Sequence, residues 1–234
     1  MNKYDGCEEM THAFLLHSKP FKESSVIASF VTDTDGRVDC IARSVRGKVG
    51  KKNKPIIPFC LYELSWAGKG ELKTLQHFES VNFPISLSGT QLFCGLYLNE
   101  LLYHLLPVMD ADHQWMYLYS AAVTQLAEQE NPEPTLRMFE MTLLEMLGYG
   151  IDFCCDASGA ALELDAYYQF LPEQGLVRVA NSTAAYVGNG EAFIAMGNRD
   201  FSTMEVRKLA KLTMRSALSV CLGRKKLHSR ELFL

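Results

Sequence analysis

The residues able to do chemistry along this chain are mostly cations. The stretch "RSVRGKVGKKNKP", Arg43 to Pro55, carries Arg43, Arg46, Lys48, Lys51, Lys52 and Lys54 with no acid among them, and Lys69 and Lys73 follow. Cationic groups gathered this closely displace the counterions condensed on a phosphate backbone, and that release drives salt-dependent affinity for nucleic acid. Phe59, Tyr62, Trp66 and Phe78 lie nearby in sequence and could stack bases. The shared parity of Tyr62 and Trp66 favours core packing for those two. A cationic run can also be a solvated face with no ligand.

Two further cationic features stand out. Arg137 is the lone basic residue between Glu100 and Glu173, against thirteen acids. It suits an ion pair with Glu133 or Glu140 at helical spacing, worth a few tenths of a kcal/mol. It also suits an anchor for an acidic peptide end beside an apolar pocket. From Arg199 onward, nine basic residues face only three acids, and Arg207, Lys208, Lys211, Arg215, Lys225, Lys226 and Arg230 make a second basic surface. The formal net charge of −4 conceals this segregation, and a polyanion binder needs a local basic surface, not a basic total.

Catalytic arrangements are missing from the sequence. It contains no phosphate-binding G-x-x-x-x-G-K-[ST], no G-x-S-x-G elbow and no H-E-x-x-H, the spacings that hydrolases and metalloenzymes need. The seven cysteines include no C-x-x-C pair, so neither zinc ligation nor a disulfide framework is expected. Cys40, Cys60, Cys94 and Cys221 sit among apolar residues as small core hydrophobes. No apolar run approaches the roughly 20 residues that span a bilayer, and the polar, acidic start is unlike a secretory leader. The expectation is a cytoplasmic, nucleoid-associated protein that requires no cofactor.

The elements that must position these groups fall into two kinds. Residues 12–85 alternate with the period of strands: Val38, Cys40 and Ala42 share one face, and Cys60, Tyr62, Leu64 and Trp66 another. Five short strands interrupted by one long polar loop indicate a small barrel, of which the OB-fold is the commonest five-stranded form. Helical spacing takes over near Ser88. Asp110 and Asp112 are expected to start a second helix, Gly148 to end a third, and Ser202 or Thr203 to cap a last one that stops at Gly223. Between them, "LPEQGLVRVA" reads as a hairpin. The fold class is α+β.

Five blocks carry a family resemblance: "AFLLHSKPFKESSVIASFVTDTDGRVDCIARSVRG", "ELSWAGKGELKTLQHFE", "LFCGLYLNELLYHLLP", "EPTLRMFEMTLLEMLGYGIDF" and "KKLHSRELF". In order and over nearly the whole chain they resemble RecO, the bacterial recombination mediator and strand-annealing family. The resemblance implies an N-terminal OB-fold at 1–86 and a helical bundle at 87–150 and 199–234, with a small embedded subdomain at 151–198. It implies binding of single- and double-stranded DNA, annealing, partnership with RecR and indirectly RecF and RecA, and a chain that is monomeric alone. It also implies docking onto the acidic tail of single-stranded DNA-binding protein (SSB). Carried onto this sequence, the tail site would be Arg137 with Phe139, Leu143, Leu144 and Leu147. Many members hold zinc with four cysteines in the subdomain; here only Cys154 and Cys155 stand there. The chain therefore resembles the metal-free branch, whose subdomain is expected to hold by packing of Leu162, Tyr167, Tyr168 and Phe170. The rival expectation is an OB-fold adaptor that binds only protein.

Overall fold

The computed structural model describes residues 10–45, 55–180 and 186–233. Five strands form a closed barrel: β1 (Thr11–Phe21), β2 (Ser25–Thr32), β3 (Arg37–Ala42), β4 (Leu61–Ala67) and β5 (Leu72–Ser80), in the order β1-β2-β3-β5-β4. All neighbours are antiparallel except β3 and β5, and β1 closes on β4. This is the five-stranded Greek-key barrel of the OB type. Alternation sets it up: Val38, Cys40 and Ala42 are buried, whereas Arg37, Asp39 and Ile41 are half-buried on the outer face. The β2–β3 turn needs Gly36, whose φ is +62° and where an added Cβ would lie 2.1 Å from the Asp110 carbonyl oxygen.

Ala28, Phe30, Val38, Cys40 and Leu64 are fully enclosed in the barrel core. Each large side chain there contributes about 1.5–3 kcal/mol through removal from water. Burial also pushes the Cys40 thiol up to about 12, so at neutral pH it is a small hydrophobe. Alternation holds along β4: Tyr62, Leu64 and Trp66 all face the barrel core, with Trp66 half-buried at its rim. A register shift sets Ser65 opposite His77 and Trp66 opposite Leu75, so Gln76 is the extra residue and the bulge lies on β5.

The chain gathers into two compact units, residues 1–129 with 227–234, and residues 130–226. The stretches 87–150 and 199–234 are thus shared between them. In the first unit, α1 (Gly89–Leu105) and α2 (Gln114–Glu128) accompany the barrel. Asn99, buried on α1, donates to the Leu15 carbonyl at 3.4 Å and accepts from Tyr119 of α2 at 2.6 Å, so its amide ties both helices to β1. Of the two acids expected to start α2, Asp112 accepts the Gln114 N–H at 2.9 Å. A 3₁₀ segment, His228–Phe233, completes this unit against α1. Glu100 of α1 accepts from the His228 N–H (2.8 Å), the Ser229 N–H (2.9 Å) and the Ser229 hydroxyl (2.5 Å).

The second unit contains α3 (Glu133–Met146), a small sheet of β6 (Tyr167–Leu171), β7 (Gly175–Val179) and β8 (Val187–Asn189), then α4 (Gly190–Gly197) and α5 (Met204–Leu222). The sheet order is β7-β6-β8. The Thr203 hydroxyl accepts the Val206 N–H at 3.2 Å and Gly223 ends α5 with φ +56°, as their types require. Leu162, Tyr168 and Phe170 are buried in this unit, but Tyr167 is 39% exposed. Successive residues of β6 point to opposite faces, so Tyr167 cannot join Tyr168 inside. Asp156 knots the turn before β6, accepting from the Ser158 N–H and hydroxyl and from the Ala160 N–H. Arg178 of β7 forks onto Glu163 at 2.6 and 2.8 Å. Among the described residues no cluster of three His, Cys, Asp or Glu side chains could hold a metal ion.

Candidate functional site

Arg43 leaves the end of β3 exposed, while Arg46, Lys48, Lys51, Lys52 and Lys54 lie outside the described residues. Lys69 is exposed in the β4–β5 turn. Lys73 is half-buried on β5 and donates to the Gly68 carbonyl at 3.2 Å, which ties it to that turn. Phe59 and Tyr62 are buried, and the Tyr62 hydroxyl accepts the Ile57 N–H at 2.9 Å. Both rings serve the core.

Charge counting from Arg43 onward leaves out the β1–β2 hairpin. There Lys19 and Lys22 are exposed and flank the half-buried Phe21, with the Lys22 ammonium 5.3 Å from the Phe21 ring centroid. Val26 pairs with Pro20 on one side and Ala42 on the other, so the hairpin tip and Arg43 share one end of the barrel. Two lysines bracketing an aromatic in "KPFKESS" are the signal that marks this tip in sequence.

In the second unit Lys208, Lys211 and Arg215 are exposed, and their spacing places them on one stripe of α5. Arg207 is different. Its guanidinium donates to the Phe201 and Ser202 carbonyls at 2.8 and 2.6 Å and pairs with Glu133 at 3.4 Å. It fastens the start of α5 and is not part of an open basic face. Lys225 and Lys226 are exposed beyond Gly223. Arg230, in the first unit, lies 6.0 Å from the Tyr97 ring centroid.

Arg137 is buried on α3, with its side chain 6% exposed, and donates to Glu140 at 3.0 Å. The i,i+3 pair legible in the sequence is therefore formed. It does not exhaust the guanidinium: the buried Nε and Nη1 have no hydrogen-bond partner among the described residues. A buried donor without an acceptor costs about 1–3 kcal/mol. Phe139, Leu143 and Leu144 are at most 1% exposed, and Leu147 is half-buried. At about 100° per residue, Leu144 and the buried Met141 flank Arg137, whereas Phe139 and Leu143 project from the far side of α3.

Two family profiles match the chain. The one described as Recombination protein O N terminal covers residues 8–84, and the one described as Recombination protein O C terminal covers residues 87–231. The chain belongs to the RecO family. A Pseudomonas aeruginosa protein named DNA repair protein RecO is 42% identical over 94% of this chain and 93% of its own length. Proteins of the same name from Vibrio atlanticus and Vibrio cholerae are each 36% identical, over 97% and 96% of this chain and 94% and 93% of their own lengths. In RecO terms the N-terminal profile covers the barrel, and the C-terminal profile runs through both α1–α2 and the second unit.

Proposed function

We propose that this protein is a non-enzymatic mediator of DNA repair and recombination, working in the cytoplasm at the nucleoid. It binds single- and double-stranded DNA, anneals complementary strands, and with RecR helps load RecA onto strands coated by SSB. The observation that carries this reading is membership of the RecO family across both halves of the chain, with an OB-type barrel in the first. Cations at Arg43–Lys73 and along Lys208, Lys211 and Arg215 screen the phosphates of two strands and lower the repulsion that slows annealing. Base pairing supplies the specificity, so the protein reads no sequence.

Arg137 is the proposed hold on the acidic tail of SSB. Its buried donors without acceptors suit a carboxylate, which Arg recognises better than any other side chain does. Docking on the tail raises the local concentration of the mediator on coated DNA.

The deciding experiment is annealing of complementary oligonucleotides coated with SSB, with and without its acidic tail. Faster annealing that needs the tail is expected. No acceleration on either bare or coated strands would overturn the mediator reading.

A further inference from the structure

We propose that the open end of the outer β1–β2–β3 face, together with the β1–β2 hairpin tip, is a stacking platform for unpaired bases. It rests on the DNA-binding reading above and adds to it a means of telling single strands from duplex. The helices cover only part of this face. Towards α1 and α2, Ser29 and Val31 on β2 are 3% and 0% exposed, Phe14 packs on Tyr119 with ring centroids 5.2 Å apart, and His17 packs on Tyr103. Nearer the tip the cover ends. The cross-strand row Lys19, Ile27, Ile41 and Thr74 follows from the register of β1, β2, β3 and β5. Lys19 is exposed, and Ile27, Ile41 and Thr74 are half-buried.

One step further along, Phe21 pairs with Ser25 at the end of β1. An apolar strip with an aromatic at its end is thus bordered by Lys19, Lys22 and Arg43. Glu23 is the one acid in the turn, and Asp39, the next acid on β3, is taken by Arg37 at 2.8 Å. The charge suits a polyanion. The apolar strip and its terminal aromatic suit the faces of bases, which every unpaired nucleotide offers and a duplex hides. Lys22 adopts a left-handed backbone at the turn, with φ +53°, and holds its ammonium near the Phe21 ring as a cation–π contact. From there it can meet a phosphate while a base meets the ring.

The test compares the parent with Phe21→Ala on three ligands: oligo(dT), an abasic oligonucleotide of equal length, and a duplex. Loss of one base–aromatic stack should weaken oligo(dT) binding by about 5- to 100-fold, with abasic and duplex affinities changed less than about twofold and the salt slope kept. Lys19→Ala with Lys22→Ala should instead weaken all three and flatten the salt slope, by roughly 0.7 per lost contact on single strands. Phe21→Trp gives a readout that does not depend on the alanine variant folding. Beyond the signal of Trp66 and Trp115 in the parent, its fluorescence should be quenched by oligo(dT) and not by the abasic strand. Equal oligo(dT) binding by Phe21→Ala, equal losses on all three ligands, or no added quenching in Phe21→Trp would overturn the platform while leaving DNA binding intact. A parent that binds none of the ligands would overturn both readings.

Discussion

Arg37 in the first unit and Arg137 in the second are both largely enclosed arginines with a carboxylate close in sequence, and they end up in opposite conditions. Arg37 uses its whole fork. It donates to both Asp39 oxygens at 3.2 and 2.8 Å and to the Tyr103 carbonyl, and lies 4.7 Å from the Tyr103 ring centroid. Arg137 makes one bond to Glu140 and keeps two buried donors without acceptors. The first is a clasp between β3 and α1, closed by its own chain. The second carries an unmet demand for acceptors that an incoming carboxylate can supply. The same residue type, similarly buried, is structural where its donors are spent and a candidate binding group where they are not.

The strongest way to break this contrast is to delete the charges. Arg137→Ala breaks the buried pair with Glu140 and should cost about 3–5 kcal/mol in denaturant unfolding. Replacing both, Arg137→Met with Glu140→Leu, should bring stability back to within about 1 kcal/mol of the parent. Binding of an SSB-tail peptide, read by fluorescence anisotropy, should remain lost. Full tail affinity in the double variant would make Arg137 a purely internal residue.

Arg37→Ala should cost about 2–3 kcal/mol, the scale of charge-assisted hydrogen bonds, with no change in tail affinity. A fall in tail affinity there would erase the distinction between the two arginines. The same variant has a pH signature. Burial pushes the Asp39 carboxyl up, but hydrogen bonds from Arg37 and Ser29 and the Arg37 charge more than offset this, so it titrates below its ordinary range. Its stabilising contribution is therefore complete above the unfolded-chain pKa of about 4 and is lost as the pH falls through the lower folded value. The stability gap between parent and Arg37→Ala, measured by urea unfolding, should hold from about pH 7 to about pH 5 and narrow as the pH falls below about 4.

The smallest expected effect on stability comes from spent versus open cations on α5. Changing Lys208, Lys211 and Arg215 together to Ser should move stability by only about 0.5 kcal/mol, yet flatten the salt dependence of DNA binding. Arg207→Ser should do the reverse, lowering stability through its lost carbonyl contacts and leaving the salt slope alone.

Local pattern made much of this legible. The alternation in β3, the turn at Gly36, the cap at Thr203 and the Arg137–Glu140 spacing are all decided within a few residues. What escaped was decided across the chain. Arg37 looks like any outward strand residue until Tyr103, 66 positions away, supplies its carbonyl and ring. Trp66 keeps the parity of Tyr62 and Leu64, but the bulge at Gln76 on the neighbouring β5 depends on strand pairing and leaves no local mark. The eight-residue α4 begins and ends in glycine, and is too short for its period to show. Its start depends on the Asn189 side chain accepting the Ala192 N–H, and a Cβ at Gly190 would lie 2.1 Å from the Glu163 carbonyl oxygen. On α3 the apolar positions were visible, but not which of them surround Arg137. Family resemblance named Phe139, Leu143, Leu144 and Leu147; helix geometry sets Leu144 of these beside Arg137, together with Met141, which the resemblance did not name.

The clamp of Glu100 on His228 and Ser229 bears on the order in which the molecule can be made. A ribosome delivers residues 1–129 well before residues 227–233, so the barrel and its two helices emerge with Glu100 still waiting for its three donors. Burial alone would push that carboxyl up; the Ser229 and His228 donors are what hold it down. The first unit to leave the ribosome is therefore the last to be finished, and a chain cut at residue 226 would leave its first unit, not its second, incomplete.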